Sequence, residues 1–178
     1  MKKSKMVLAC FVFTMSLGLV FTGSNDLLAH QGPGLATLDL IAGQNIDAGV
    51  VSVWNDPDSL IIRVDIGGEW KIAEVQIYAG DGYDLDMCNP TLGRFPYKKT
   101  YNSPVYGHEL VLDLESEFPP DLNVAVIAVH VDLVQLDDEG NVIVEEGAWA
   151  RPGDGGYEFE CARWGWWFTY EIAHPSRP

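Results

Sequence analysis

Leu122-Asn123-Val124-Ala125-Val126-Ile127-Ala128-Val129-His130-Val131-Asp132-Leu133-Val134-Gln135-Leu136 is the stretch that decides the fold class. On an extended chain successive side chains point to opposite faces. Val124, Val126, Ala128, His130 and Asp132 then share one face, and Ala125, Ile127, Val129, Val131 and Leu133 share the other. That is the pattern of a strand. Asp137-Asp138-Glu139-Gly140-Asn141 follows as a hairpin turn, with Gly140 available for positive φ, and Val142–Trp149 returns.

The same reading extends in both directions. Gly49–Trp54 is rich in valine and ends at the turn cluster Asn55-Asp56-Pro57-Asp58. Ser59–Ile66 places Leu60, Ile62, Val64 and Ile66 on one face, opposite Ser59, Ile61, Arg63 and Asp65. Gly67-Gly68 reads as a hairpin turn into the alternating run Trp70–Tyr78. Strands are also expected at His108–Leu114 and, after the turn Pro152–Gly156, at Arg163–Ile172. Between Ala79 and Tyr106 the alternation disappears among Gly80, Gly82, Pro90, Gly93, Pro96 and Pro104. A loop this long in a compact domain is functional or needs a staple. No amphipathic helix is evident in this part of the chain. Seven or eight strands with turn-rich connections predict an all-β antiparallel β-sandwich with one long Gly/Pro-rich loop, a closed barrel being the next choice.

The first residues carry an address. Lys2, Lys3 and Lys5 precede an apolar run, Val7–Phe21, and a polar stretch leads to Leu27-Leu28-Ala29. This is the layout of a secretory signal peptide over residues 1–29, with cleavage expected after Ala29 and a single domain over 30–178, its core about 38–172. The run is short for a membrane span of about 20 residues. Val7-Leu8-Ala9-Cys10 spells a lipoprotein-type box, but the apolar segment lies after the cysteine instead of before it. The expected location is secreted or cell-surface, or periplasmic in a host with an outer membrane, with no membrane span in the mature chain.

The full chain has 11 basic and 26 acidic residues. The leader holds three of the former and one of the latter, leaving eight against 25, a net of −17. Such a chain repels nucleic acid and anionic membranes, whereas calcium and cationic polymers suit it. Solubility alone is a sufficient reason for the acid. Removal of Cys10 with the leader would leave Cys88 and Cys161, which read most simply as one disulfide in an exported protein. Two free thiols, or half of a metal site, remain the alternatives. Neither has a ligand-spaced partner for zinc.

Four stretches, taken in order, resemble a widespread set of secreted and cell-surface β-domains of bacteria and archaea. They are Ala42-Gly43-Gln44-Asn45-Ile46-Asp47-Ala48-Gly49-Val50, then Gly93-Arg94-Phe95-Pro96-Tyr97, then Ala128-Val129-His130-Val131, and finally Gly147-Ala148-Trp149-Ala150 with the closing Trp167-Phe168-Thr169-Tyr170. The second usually has the form Gly-Gln-Phe-Pro-Tyr, from which Arg94 departs. The resemblance covers about residues 38–172. It implies an extracellular domain found beside surface-anchoring or adhesive modules, and no reaction.

Candidate sites follow from side-chain chemistry. Trp164, Trp166, Phe168 and Tyr170 would share one strand face, with Trp167 opposite. Exposed planar rings stack on sugar faces, so Trp164, Trp166, Trp167 and Tyr170 are candidate ligand-binding residues; a core strand filled with rings is the competing reading. Asp81, Asp84 and Asp86, with Asn89, set hard oxygen ligands on the long loop as a candidate calcium site, although the spacing matches no EF-hand. Cleavage after Ala29 would make His30 an N-terminal copper ligand, with His108 or His130 as second ligand and Tyr170 as axial aromatic. Glu145 and Glu146 are adjacent, so on a strand they face opposite ways and cannot flank one bond. No nucleophile elbow, His-Glu-x-x-His or phosphate loop is present. The sequence therefore predicts an exported, non-enzymatic domain with a binding or surface-structural role, its partner an extracellular glycan or cell-surface component. A copper protein or oxygenase-like enzyme and a self-assembling surface-layer or fibre subunit are the alternatives.

Overall fold

The computed structural model describes residues 34–153, 156–161 and 164–173. The expected leader, residues 1–29, and His30 lie outside them. Ten strands run in chain order: β1 (Ala36–Ala42), β2 (Ile46–Asn55), β3 (Ser59–Ile66), β4 (Lys71–Gly80), β5 (Tyr97–Val105), β6 (Gly107–Asp113), β7 (Val124–Leu136), β8 (Val142–Arg151), β9 (Tyr157–Glu158) and β10 (Trp166–Glu171). Among the described residues helix is confined to a 3-10 turn at Leu92–Arg94 and one α-turn, Leu114–Glu117, capped by Asp113. The all-β antiparallel fold expected from the sequence is the one adopted.

Hydrogen-bonded neighbours follow the path β5-β4-β7-β8-β1-β2-β3-β6, and β10 pairs with the first residues of β7. Only Tyr106 separates β5 from β6. The continuous run 97–113 therefore pairs with β4 through its first half and with β3 through its second. The two layers are thus parts of one sheet rolled nearly into a barrel. Leu38, Leu40, Val51, Val53, Leu60 and Ile62 from one side meet Ile72, Val75, Ile77, Ile127, Val129 and Leu133 from the other. Each such side chain contributes roughly 1.5–3 kcal/mol on burial. The inward set of β7 is the apolar face read from its sequence: Ala125, Ile127, Val129, Val131 and Leu133 are all buried.

Three features differ from expectation. The link Gly67-Gly68 does not close a hairpin, because β3 pairs with β2 and β6 while β4 pairs with β5 and β7. It carries the chain from one layer to the other. The segment expected to be loop up to Tyr106 contains β5, whose Lys98, Lys99, Thr100, Asn102 and Ser103 are exposed and leave no apolar alternation to read. β1 adds a further strand, held between β2 and β8.

The outer face of the β4-β7-β8 portion carries a second, smaller core. Tyr78, Leu85, Phe95, Ala128, Trp149 and Phe159 are buried there, with Trp164, Trp166 and Trp167 packed against them. Its cover consists of the loop 81–96 and the segment 157–161, joined by the Cys88–Cys161 disulfide. The staple expected for the long loop is therefore present, and it ties that loop to the region just before β10.

Candidate functional site

The site lies where this stapled cover ends and the sheet surface becomes polar. Register places Gln76 of β4, His130 of β7 and Trp149 of β8 side by side, and Glu74, Asp132 and Gly147 in the next row. Gln76 and His130 are buried, at 3% and 6% exposure. A buried polar group is costly unless bonded, and these two satisfy each other. His130 Nδ1 lies 2.6 Å from Gln76 Oε1. Gln76 Nε2 donates to Asp132 Oδ2 at 3.1 Å and also to Glu74 Oε1. With the amide in this orientation Oε1 is the acceptor, so His130 carries its proton on Nδ1 in this pair. Lys98 lies 2.7 Å from Glu74 Oε1, and Thr100 Oγ1 donates to Glu74 Oε2 at 2.6 Å. These two partners hold the Glu74 carboxyl below the usual carboxylate range.

Trp149 forms the apolar wall beside this network. Its ring meets His130 edge-on, with centroids 4.8 Å apart, and Phe95 and Phe159 pack on it at 6.4 and 5.2 Å. Gly165 passes flat against the indole: a Cβ there would stand 2.6 Å from Trp149 Cε2, and the backbone φ is +146°. Only glycine fits, and it sets Trp164 at the rim. Opposite, the β1–β2 turn brings in Gln44. Gly43 and Gln44 both have positive φ, 52° and 76°, and Gly43 N–H donates to Gly147 O at 3.1 Å. A non-glycine residue in this region is uncommon and is held by its surroundings. The result is a cleft of about 500 Å³ lined by Gln44, Leu92, His130, Glu146, Trp149 and Trp164, with Gly43 and Gly147 in its floor.

Gly43-Gln44, His130 and the pair Gly147 and Trp149 come from three of the four stretches quoted above, and Phe95 of the remaining one packs behind Trp149. Distant parts of the sequence thus converge on one cleft.

The aromatic segment divides. Phe168 and Tyr170 belong to the main core, and the Tyr170 hydroxyl donates to Asn55 Oδ1 at 3.1 Å. Tyr170 is 5% exposed and lies in the interior. Trp164, Trp166 and Trp167 are half-buried on the second core. Trp164 lines the cleft; Trp167 stacks on Tyr157 at 4.3 Å, and Trp166 lies 6.0 Å from the Arg151 guanidinium. The one-face alternation expected from Trp164 onwards does not hold, because Trp164 precedes β10 and Gly165 breaks the extended geometry between them.

In the acidic loop Asp81 Oδ1 accepts from Tyr83 N–H at 2.9 Å, and Asp86 Oδ1 accepts from Cys88 and Asn89 N–H at 2.9 and 3.1 Å. These are turn-capping bonds. Asp84 and Asp86 line a smaller cavity of about 180 Å³ together with Arg94. Among the described residues no three His, Cys, Asp or Glu side chains converge as a metal centre would require. His108, on β6, lies 2.7 Å from Tyr101 Oη through Nδ1, and burial pushes its pKa down. No helix of the described residues is long and apolar enough to cross a membrane.

Gln44, Gln76, Glu146 and Trp149 were not singled out as site residues by composition or spacing. Gln44 and Trp149 lay inside quoted stretches, but nothing in a linear pattern says that those stretches meet. No protein-family model, curated protein or solved structure matches the chain.

Proposed function

We propose that this is an exported binding domain whose ligand is an extracellular glycan, held in the cleft between Trp164 and the Gln44–Glu146 side. The observation that carries this reading is a half-buried indole at the rim of a cleft that sets polar groups, the Gln44 amide, the Glu146 carboxylate and the Gln76-bonded His130 ring, beside the apolar Trp149 and Leu92. A sugar ring presents an apolar face and a circle of hydroxyls. Trp164 suits the first by stacking, and the amide and carboxylate suit the second by hydrogen bonding. The signal-peptide pattern and the disulfide support an extracellular setting. The reading assigns no reaction to the domain.

Titration of a panel of oligosaccharides by calorimetry tests this. Trp164→Ala is expected to lower affinity by about tenfold or more while shifting Tm by only a few degrees, because the ring is only partly buried. Wild-type protein that binds no glycan, or a Trp164→Ala variant that binds as tightly as wild type, would refute the reading.

A second reading rests on a different observation. Among the described residues, β1 pairs only with Ala148–Arg151 of β8, so the edge of β8 before residue 147 has no second strand beside it. Val142, Ile143 and Val144 are exposed there. Open apolar edges pair with other chains, and self-assembly through β8 would show as concentration-dependent polymers in light scattering.

A further inference from the structure

A second concavity adjoins the first. It has a volume of about 510 Å³ and lies over β5, β4, β7 and β8, with Thr100, Tyr101, Glu74, Asp132 and Glu145 in its lining. Glu146 and Gly147 belong to both. Gly147 is on the outward face of β8, between the outward Trp149 and Glu145. A Cβ at this position would stand 3.1 Å from His130 Nε2, so Gly147 puts no side chain over His130 where the two concavities share this residue. From Gly147 the floor continues in register through Asp132 and Glu74 to Thr100. Three interstrand steps of about 4.8 Å give about 14 Å of groove beyond the Trp164 cleft.

The second half differs in chemistry from the first. Asp132 accepts from Gln76 and stands 4.0 Å from His130 Nδ1, and among the described residues no Lys or Arg pairs with Asp132, Glu145 or Glu146, whereas Glu74 is paired with Lys98 and bonded by Thr100. Groups that lie here must donate hydrogen bonds. Hydroxyls and amines do so; carboxylates and sulfates are repelled.

We infer that the ligand is a linear oligosaccharide, neutral or amine-bearing, that stacks on Trp164, crosses β8 at Gly147 and runs over β7 and β4 to Thr100. This deepens the glycan reading and rests on it. It makes the site a groove for an internal stretch of polysaccharide, not a pocket for one terminal sugar.

The test is a length series, from monomer to hexamer, of glucosamine oligomers, N-acetylglucosamine oligomers and galacturonate oligomers, titrated into the full protein. Affinity for one or both of the first two series is expected to rise about tenfold or more between dimer and tetramer, with the galacturonates binding weakest. Thr100→Trp, an exposed position on β5, is expected to remove most of the gain for the tetramer and leave the dimer unaffected. Affinity that stops rising after the dimer, an unaltered tetramer gain in Thr100→Trp, or preference for galacturonates would overturn the inference while leaving a single-ring glycan site intact. Absence of binding by every sugar, with Trp164→Ala equally silent, would remove the glycan reading itself.

Discussion

Gln76 and His130 are the buried polar side chains among the described residues, and each makes sense only through the other. A lone histidine in an apolar strand looked like either a core residue or a metal ligand. The structure shows it hydrogen-bonded to an amide that in turn donates to Glu74 and Asp132. Gln76→Leu keeps the volume and removes the acceptor used by His130 Nδ1, so it is expected to destabilise the fold by about 2 kcal/mol. Urea unfolding measures this directly; an unchanged midpoint would mean that the pair contributes nothing to stability. His130 stood out in the sequence because a ring nitrogen interrupts a run of aliphatic residues. Gln76 did not, since a glutamine in an alternating strand reads as a solvent-facing residue. Nothing short of the β4–β7 register could bring the two together.

At the scale of elements, β7 was legible because both of its faces carry a strong pattern and its inner one is purely aliphatic. β5 was not, because an outer strand with exposed lysines, threonine and asparagine has the composition of a loop and forms only through its ladder with β4. The Gly67-Gly68 turn was misread for a related reason: two glycines permit a reversal but do not say whether the next strand pairs or changes layer. The Cys88–Cys161 pairing followed from counting, and its position explains why the long loop can stay ordered beside the cleft. The bond spans 73 residues of sequence, for which the chain-entropy model gives a contribution of about 4 kcal/mol. Reduction under mild conditions is expected to lower the urea midpoint and also to weaken glycan binding, since Leu92 stands on one joined segment and Trp164 follows shortly after the other. Reduced protein that still binds at full affinity would show that the cover holds without its staple.

The same element scale governs alkaline behaviour. Burial and the hydrogen bond to Glu117 push the Tyr97 pKa up to about 12. The ordinary tyrosine value is about 10, so the folded state resists ionisation that the unfolded chain accepts. The stabilisation is complete below about pH 10 and is lost as the pH rises through about 12. Tyr97→Phe is expected to flatten the fall in Tm across that window, as followed by circular dichroism; an unchanged slope would assign the alkaline loss to other groups.

For the whole molecule, one rolled sheet carries two cores, and the edge of the second core makes the cleft. The inner core is written in the alternation of its strands. The outer one is written in a loop, a disulfide and a tryptophan-rich segment whose alternation Gly165 interrupts, so its place could not be read from periodicity. The acidic balance, −15 for the full chain, bears on the charge of the proposed ligand and not on its shape. In the proposed reading a glycan lands on the Trp164 rim of this cleft. The measurement that tests it most directly is a nitrogen–proton correlation spectrum of the tryptophan indoles during titration with the N-acetylglucosamine and glucosamine tetramers. The Trp164 indole N–H, assigned by its loss in Trp164→Ala, is expected to move first and furthest, while the signal of Trp70, buried in the main core, stays in place. Saturating ligand that leaves the Trp164 signal unmoved would contradict the reading.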